Sequence, residues 1–220
     1  MKRMLLAMFA VAALTGCPEF IVNRGAFVTP SATLAMPAPA DLPAASTYIS
    51  LEDTWRRDAG LGVGGYVFAT LWDPVLAAAE VAHDGALMNV PPSGMGDRLK
   101  DRWDELYGAE RDRFPIDVRL QFDAQFYSDP AILSPGSWTF QLSVAGGPTY
   151  PPLENAVISR SPTPKDGYWT GDIRLWFPWR DPDTRLLLLG HQTTAVTLLI
   201  AGDTGKAKLT WRFRSAYADR

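Results

Sequence analysis

Residues 116–126 read Ile116-Asp117-Val118-Arg119-Leu120-Gln121-Phe122-Asp123-Ala124-Gln125-Phe126. Apolar residues take every second place and polar residues fill all the places between. A helix with one buried face cannot hold a period of two, so the stretch reads as a strand with one side in a core. The same alternation recurs further along the chain. Trp138, Phe140, Leu142 and Val144 alternate with Thr139, Gln141 and Ser143, and Ala207, Leu209, Trp211 and Phe213 with Lys208, Thr210 and Arg212. Gly202-Asp203-Thr204-Gly205 has the composition of a hairpin turn and would join Thr194–Ala201 to Lys206–Arg214. Gly64–Asp73 is rich in β formers and reads as the first strand, with further strands expected at Ala156–Ser159, Tyr168–Phe177 and Arg185–Leu189.

Two helices are expected between these strands. Asp73 is a favoured N-cap and Pro74 a favoured first helical residue, so Val75–Ala82 should be helical and end near Asp84-Gly85. In Asp97–Asp112, Leu99, Trp103, Leu106 and Tyr107 form one apolar stripe at helical spacing. Val90–Gly96 reads as the loop between them. Eighteen Gly and eighteen Pro among 220 residues supply the turns of a largely β chain. The expected fold is mainly β: a β-sandwich, Ig-like or related, over 48–220, with a two-helix insertion at about 74–113. A partly open barrel is the competing architecture.

The N-terminus is of another kind. Met1-Lys2-Arg3 is followed by an uncharged run from Met4 to Leu14, too short to span a bilayer, and then by Thr15-Gly16-Cys17. Leu14-Thr15-Gly16-Cys17 resembles the lipobox of bacterial lipoproteins, and residues 1–16 the signal peptide that precedes it. The resemblance implies that Cys17 is acylated through its sulfur and becomes the first residue of the mature chain, which accounts for the single cysteine. It also implies membrane attachment through that lipid (palmitate or similar acyl chains). Pro18, in place of the aspartate that favours inner-membrane retention, implies the outer membrane, with the body facing periplasm or cell surface. Residues 17–47 read as a tether, since Val28–Ser46 carries Pro30, Pro37, Pro39 and Pro43 among six alanines. Loss of Lys2 and Arg3 with the signal takes the 21 basic residues to 19 against 24 acidic ones, a formal −5. Such a balance gives no electrostatic reason to bind nucleic acid.

Residues suited to catalysis are sparse. His83-Asp84 is a pair used in metal phosphohydrolases, but such sites need further ligands, and only His191 remains. No metal site and no cofactor are expected. Gly60-Leu61-Gly62-Val63-Gly64-Gly65 lacks the Lys-Ser/Thr ending of a phosphate loop and reads as a flexible entry. Asp101 and Glu105, carboxylates that would serve a hydrolase, belong to a helix rich in both charge signs, which describes a solvated face. Asp181-Pro182-Asp183-Thr184 reads as a turn rather than a calcium loop. Trp169, Trp176 and Trp179 concentrate aromatic surface in one stretch, and Trp176 and Phe177 must face opposite sides of a strand. The outer side either offers aromatics to a partner, a glycan or the membrane boundary, or lies under the helices. The resulting expectation is a non-enzymatic envelope lipoprotein, an interaction or structural module serving assembly or secretion. Its unknown partner is an envelope protein or glycan, and the rival reading is a carbohydrate-binding protein using Trp169–Trp179.

Overall fold

A computed structural model of the chain describes residues 27–31, 33–145, 147–190 and 192–214. The chain is mainly β, with two antiparallel sheets and three α-helices. One sheet has five strands, β1 (Arg56–Gly60), β2 (Gly65–Leu71), β3 (Arg113–Asp123), β6 (Glu154–Arg160) and β7 (Tyr168–Pro178), in the order β1-β2-β3-β7-β6. The other has β4 (Trp138–Val144), β5 (Thr149–Tyr150), β8 (Ala195–Gly202) and β9 (Gly205–Arg212), in the order β5-β4-β8-β9. α1 (Tyr48–Trp55) precedes β1, while α2 (Pro74–Leu87) and α3 (Pro92–Tyr107) lie between β2 and β3, where an insertion was expected.

The period of two does what burial requires. Phe114, Ile116, Val118, Leu120 and Phe122 of β3 are all buried, together with Ile173 and Leu175 of β7. They share one core with Phe140, Leu142, Leu198, Ile200, Leu209 and Trp211 of the other sheet. Phe122 stacks on Trp138 at 5.6 Å between ring centroids, which joins the two layers at one end. The Gly202–Gly205 hairpin pairs Gly202 with Gly205 across a two-residue turn, as its sequence indicates.

The sheets also meet along one side, where β1 runs beside β9. Here the Arg57 side chain, only 4% exposed, reaches across and donates from Nε to Thr210 O at 3.0 Å and from Nη1 to Thr54 O. A guanidinium thus satisfies a carbonyl that a strand ladder would otherwise have used. Beyond it, Gly62 sits so close to Thr204 that a Cβ would lie 2.2 Å from the Thr204 carbonyl oxygen, and its φ is +82°. Only glycine fits this hairpin turn. The 60–65 stretch is therefore the tight β1–β2 turn and not a flexible entry.

Several boundaries differ from expectation. β3 stops at Asp123 because its carboxylate accepts the Gln125 N–H and its carbonyl the Phe126 N–H, which turns the chain and leaves Phe126 exposed. α3 begins at Pro92, so Pro92–Gly96 is its first turn rather than a loop, and it ends at Gly108 with φ +74°. Arg185–Leu189 makes only one bridge, Arg180 with Leu187, in place of a strand. β1 and α1 were not anticipated. The described chain is already packed on the body at Val28, well before Tyr48. Val28 bonds to Arg212 O and Arg214 N, Leu34 is buried, and Ser31 donates twice to the Asp73 carboxylate that caps α2. The part of the expected tether that is described is thus docked, while Cys17 and the signal lie outside the described residues.

Arg57→Met should lower unfolding stability by about 2 kcal/mol, because Thr210 O and Thr54 O lose buried charge-assisted partners. Urea denaturation measures this, and an unchanged midpoint would show that the seam carries no stability.

Candidate functional site

The side of the five-stranded sheet that faces away from the core is charged. β3 carries Asp117-Val118-Arg119 and β7 carries Asp172-Ile173-Arg174. Antiparallel pairing sets Asp117 opposite Arg174 and Arg119 opposite Asp172. Two copies of one short pattern, acid-apolar-base, therefore neutralise each other across the strands while both apolar members enter the core. Arg174 donates to Asp117 from Nε at 2.6 Å and from Nη2 at 2.8 Å. Arg119 donates to Asp172 from Nε at 2.7 Å, and Ser159 of β6 donates to the same carboxylate.

Helices close over part of this face. Arg174 Nη1 donates to Glu105 of α3, and Arg102 of α3 is bidentate to Glu80 of α2 at 2.6 and 2.9 Å. Arg102 also donates to Glu105 and lies over the Trp72 ring at 4.8 Å, while the Trp72 indole N–H donates to Asp117. Trp72, Glu80, Arg102, Asp117, Arg119, Asp172 and Arg174 line a cleft of about 320 Å³ between sheet and helices, together with Glu52, Arg56 and Phe68. Burial works against the Arg174 charge, but hydrogen bonding to Asp117 and then Glu105 outweighs it and holds the pKa above the ordinary guanidinium value. Burial also opposes the Glu105 charge, yet Arg102 and Arg174 overcome it and lower the carboxyl. Glu105 is thus kept ionised and engaged, the reverse of what a glycosidic general acid needs.

The anticipated aromatic surface is absent from this arrangement. Trp169, Trp176 and Trp179 are 9%, 8% and 4% exposed. Trp169 donates its N–H to Tyr127 O, Trp176 lies beneath α3 and donates to Leu106 O, and Trp179 packs edge-on against Phe114. α3 covers Trp176 on the outer face, while Trp169 and Trp179 belong to the core on the other side of the sheet, so all three are buried. Asp101 lies with Glu105 on the groove between α2 and α3. His83 is a packing residue, with Nδ1 3.2 Å from Ala45 O and its ring beside Tyr48, and His191 lies outside the described residues. Among the described residues no group of three or more His, Cys, Asp or Glu side chains is placed to hold a metal ion.

Asp181 takes the turn role. Its Oδ1 accepts from the backbone of Asp183 and Thr184, and its Oδ2 from Tyr150 OH. The Thr184 N–H first, then the Tyr150 hydroxyl, lower its pKa to about 2.

Neither a protein-family description nor a curated protein matches the chain. A solved structure of a protein of unknown function from Burkholderia pseudomallei K96243 is similar at a TM-score of 0.42 and 11% identity. The match spans 82% of this chain and 94% of that one, and a likeness so distant carries no argument about function.

Two outcomes test the site. Arg174→Met should destabilise the fold by about 2–3 kcal/mol, less than a fully buried pair costs because Glu105 is half exposed. Adding Asp117→Asn should recover part of that loss by removing the uncompensated charge; additive losses in a denaturation cycle would refute the pairing. Asp181 has a depressed pKa, so its stabilisation is complete above the ordinary carboxylate range near pH 4 and fades as pH falls through about 2. The Tm gap between the native chain and Asp181→Ala should therefore be widest near neutral pH and close toward pH 2.

Proposed function

We propose that this chain is a lipid-anchored, non-enzymatic interaction or structural module of the cell envelope, serving envelope assembly or secretion. The observation that carries the proposal is Leu14-Thr15-Gly16-Cys17, placed after a basic start and a short apolar run, with no second cysteine in the chain. Acyl chains on Cys17 hold the body at the outer membrane, and together they anchor stably where one chain would bind reversibly. Its action is then local to the envelope, facing periplasm or cell surface.

Two structural features support the non-catalytic part. Within the cleft Arg174 is paired with Asp117, Arg102 with Glu80 and Arg119 with Asp172. One of the two carboxylates that would serve a hydrolase, Glu105, is committed to two guanidinium groups. Burial of Trp169, Trp176 and Trp179 removes the basis for preferring a glycan partner, which leaves an envelope protein as the better one.

Intact-mass analysis of the exported protein should find a chain that begins at Cys17 with acyl groups on it. Cys17→Ser should lose the acyl label and leave the membrane fraction. An unmodified Cys17 thiol on the exported chain overturns the proposal.

A further inference from the structure

The four-stranded sheet turns one side to the core and the other to solvent. On the solvent side β9 presents Lys206, Lys208, Thr210 and Arg212 at alternate places, and Arg214 continues the row. All four cations are exposed, and none of them forms an ion pair among the described residues. The outward positions of β4, β5 and β8 hold Thr, Ser, Gln, Ala and Leu, so no strand of this sheet puts an acid on the face. The rest of the chain is unlike it. Without these four, the 19 basic residues that follow position 16 fall to 15, against 24 acids.

Charge on a strand at the side of a sheet often keeps other chains from pairing there. That role is already filled. Val28 bridges the chain at Phe213, Arg57 bonds to Thr210 O, and Gly62 abuts Thr204, so the outer edge of β9 is covered by the body itself. The cations project from the face instead. A protein interface centres on aromatic or aliphatic anchors. Here only Leu199 of β8 is an outward side chain of that kind, half-exposed between Gln141 and Lys208. A single-stranded nucleic acid needs aromatic rings to stack on. A flat anionic lipid surface needs neither, and each Lys or Arg beside it strengthens the attraction roughly fivefold.

The described chain also meets the body beside this row. Val28 N–H donates to Arg212 O, and Val28 O accepts from Arg214 N–H. Cys17 stands eleven residues earlier, at most about 40 Å from Val28 whatever course those residues take. That reach allows the face to meet the bilayer, and the charge selects it over the acidic remainder. We infer that the outer face of the four-stranded sheet, through Lys206, Lys208, Arg212 and Arg214, lies against the anionic headgroups of the bilayer that holds the Cys17 lipid. The inference rests on the anchoring proposed above: four cations orient an anchored acidic body and do not recruit a free one.

The test uses the full acylated protein in phosphatidylethanolamine vesicles with and without phosphatidylglycerol, containing a lipid with a nitroxide on its headgroup. With Cys17 acylated, an introduced cysteine is the only reactive thiol. When phosphatidylglycerol is present, a fluorophore on Ala201→Cys, an exposed position opposite Lys206, should be quenched at least twofold more than one on Leu87→Cys of α2. Omitting phosphatidylglycerol, raising the salt, or adding Lys206→Glu with Lys208→Glu should abolish the difference. Equal quenching at the two positions, or a difference that survives the charge reversal, overturns the inference and leaves the anchor intact. An acidic envelope protein retained by the native chain and lost with the double reversal, alongside equal quenching, gives the face to that protein and also overturns it. A chain shown by mass to lack acyl groups on Cys17 overturns both the inference and the anchoring.

Discussion

Asp117, half-buried between sheet and helices, meets a different demand from each layer, and the bond it makes with the buried Arg174 satisfies both. From the sheet side, β3 must present polar side chains outward if Ile116, Val118 and Leu120 are to enter the core. From the helix side, α2 and α3 must cover that same surface to bury Leu76, Leu99, Trp103 and Leu106. An unpaired carboxylate between the layers would carry a large desolvation cost. The bidentate Arg174 removes it, and the Trp72 N–H takes up a further lone pair. The Glu105, Arg102 and Glu80 pairs then continue the compensation from sheet to helices. The position of the helical layer follows from this chain of contacts.

The strands with one apolar and one polar face were legible for a simple reason: β4 and β9 pack one side against the core and leave the other wet, and β3 turns its other side to paired charges. Their alternation was a direct record of burial. β1 was illegible because its buried member is Arg57, whose guanidinium substitutes for main-chain pairing and so breaks the hydrophobic pattern. The segment before α1 was misread as a tether for a related reason. Its prolines and alanines indicate an extended chain, but not whether that chain is docked. What docks it are two isolated apolar residues, Val28 and Leu34, and hydrogen bonds to partners far along the sequence, from Ser31 to Asp73 and from Trp103 to Leu34 O. Nothing local announces them. The start of α3 was hidden by glycines 94 and 96, which helices disfavour but which here lie in its first turns.

The site had a readable signature that was passed over. Asp117-Val118-Arg119 and Asp172-Ile173-Arg174 are self-complementary once the strands run antiparallel, and that pairing predicts both ion pairs without any knowledge of the helices. The aromatic cluster pointed elsewhere because composition reveals that indoles are concentrated, not which side of a sheet is covered. Indole N–H groups also need acceptors when buried. Six tryptophans find one, in Asp117 or in a backbone carbonyl such as Leu34 O or Trp55 O. These acceptors lie in other elements, so each indole acts as a polar peg as well as core volume.

Paired charges between layers are a weak source of net stability, since well-packed apolar residues of similar volume often do as well. Their better-attested use is to fix register. An apolar stripe on α3 tolerates sliding along an apolar sheet, whereas Glu105 meets Arg174 in one position only. That same position places the Trp176 N–H against Leu106 O and Arg102 over Trp72. Within the cleft, Arg174 and Asp117, and Arg102 and Glu80, are committed to one another. What the network leaves outside are the turns and the exposed edge strand β6.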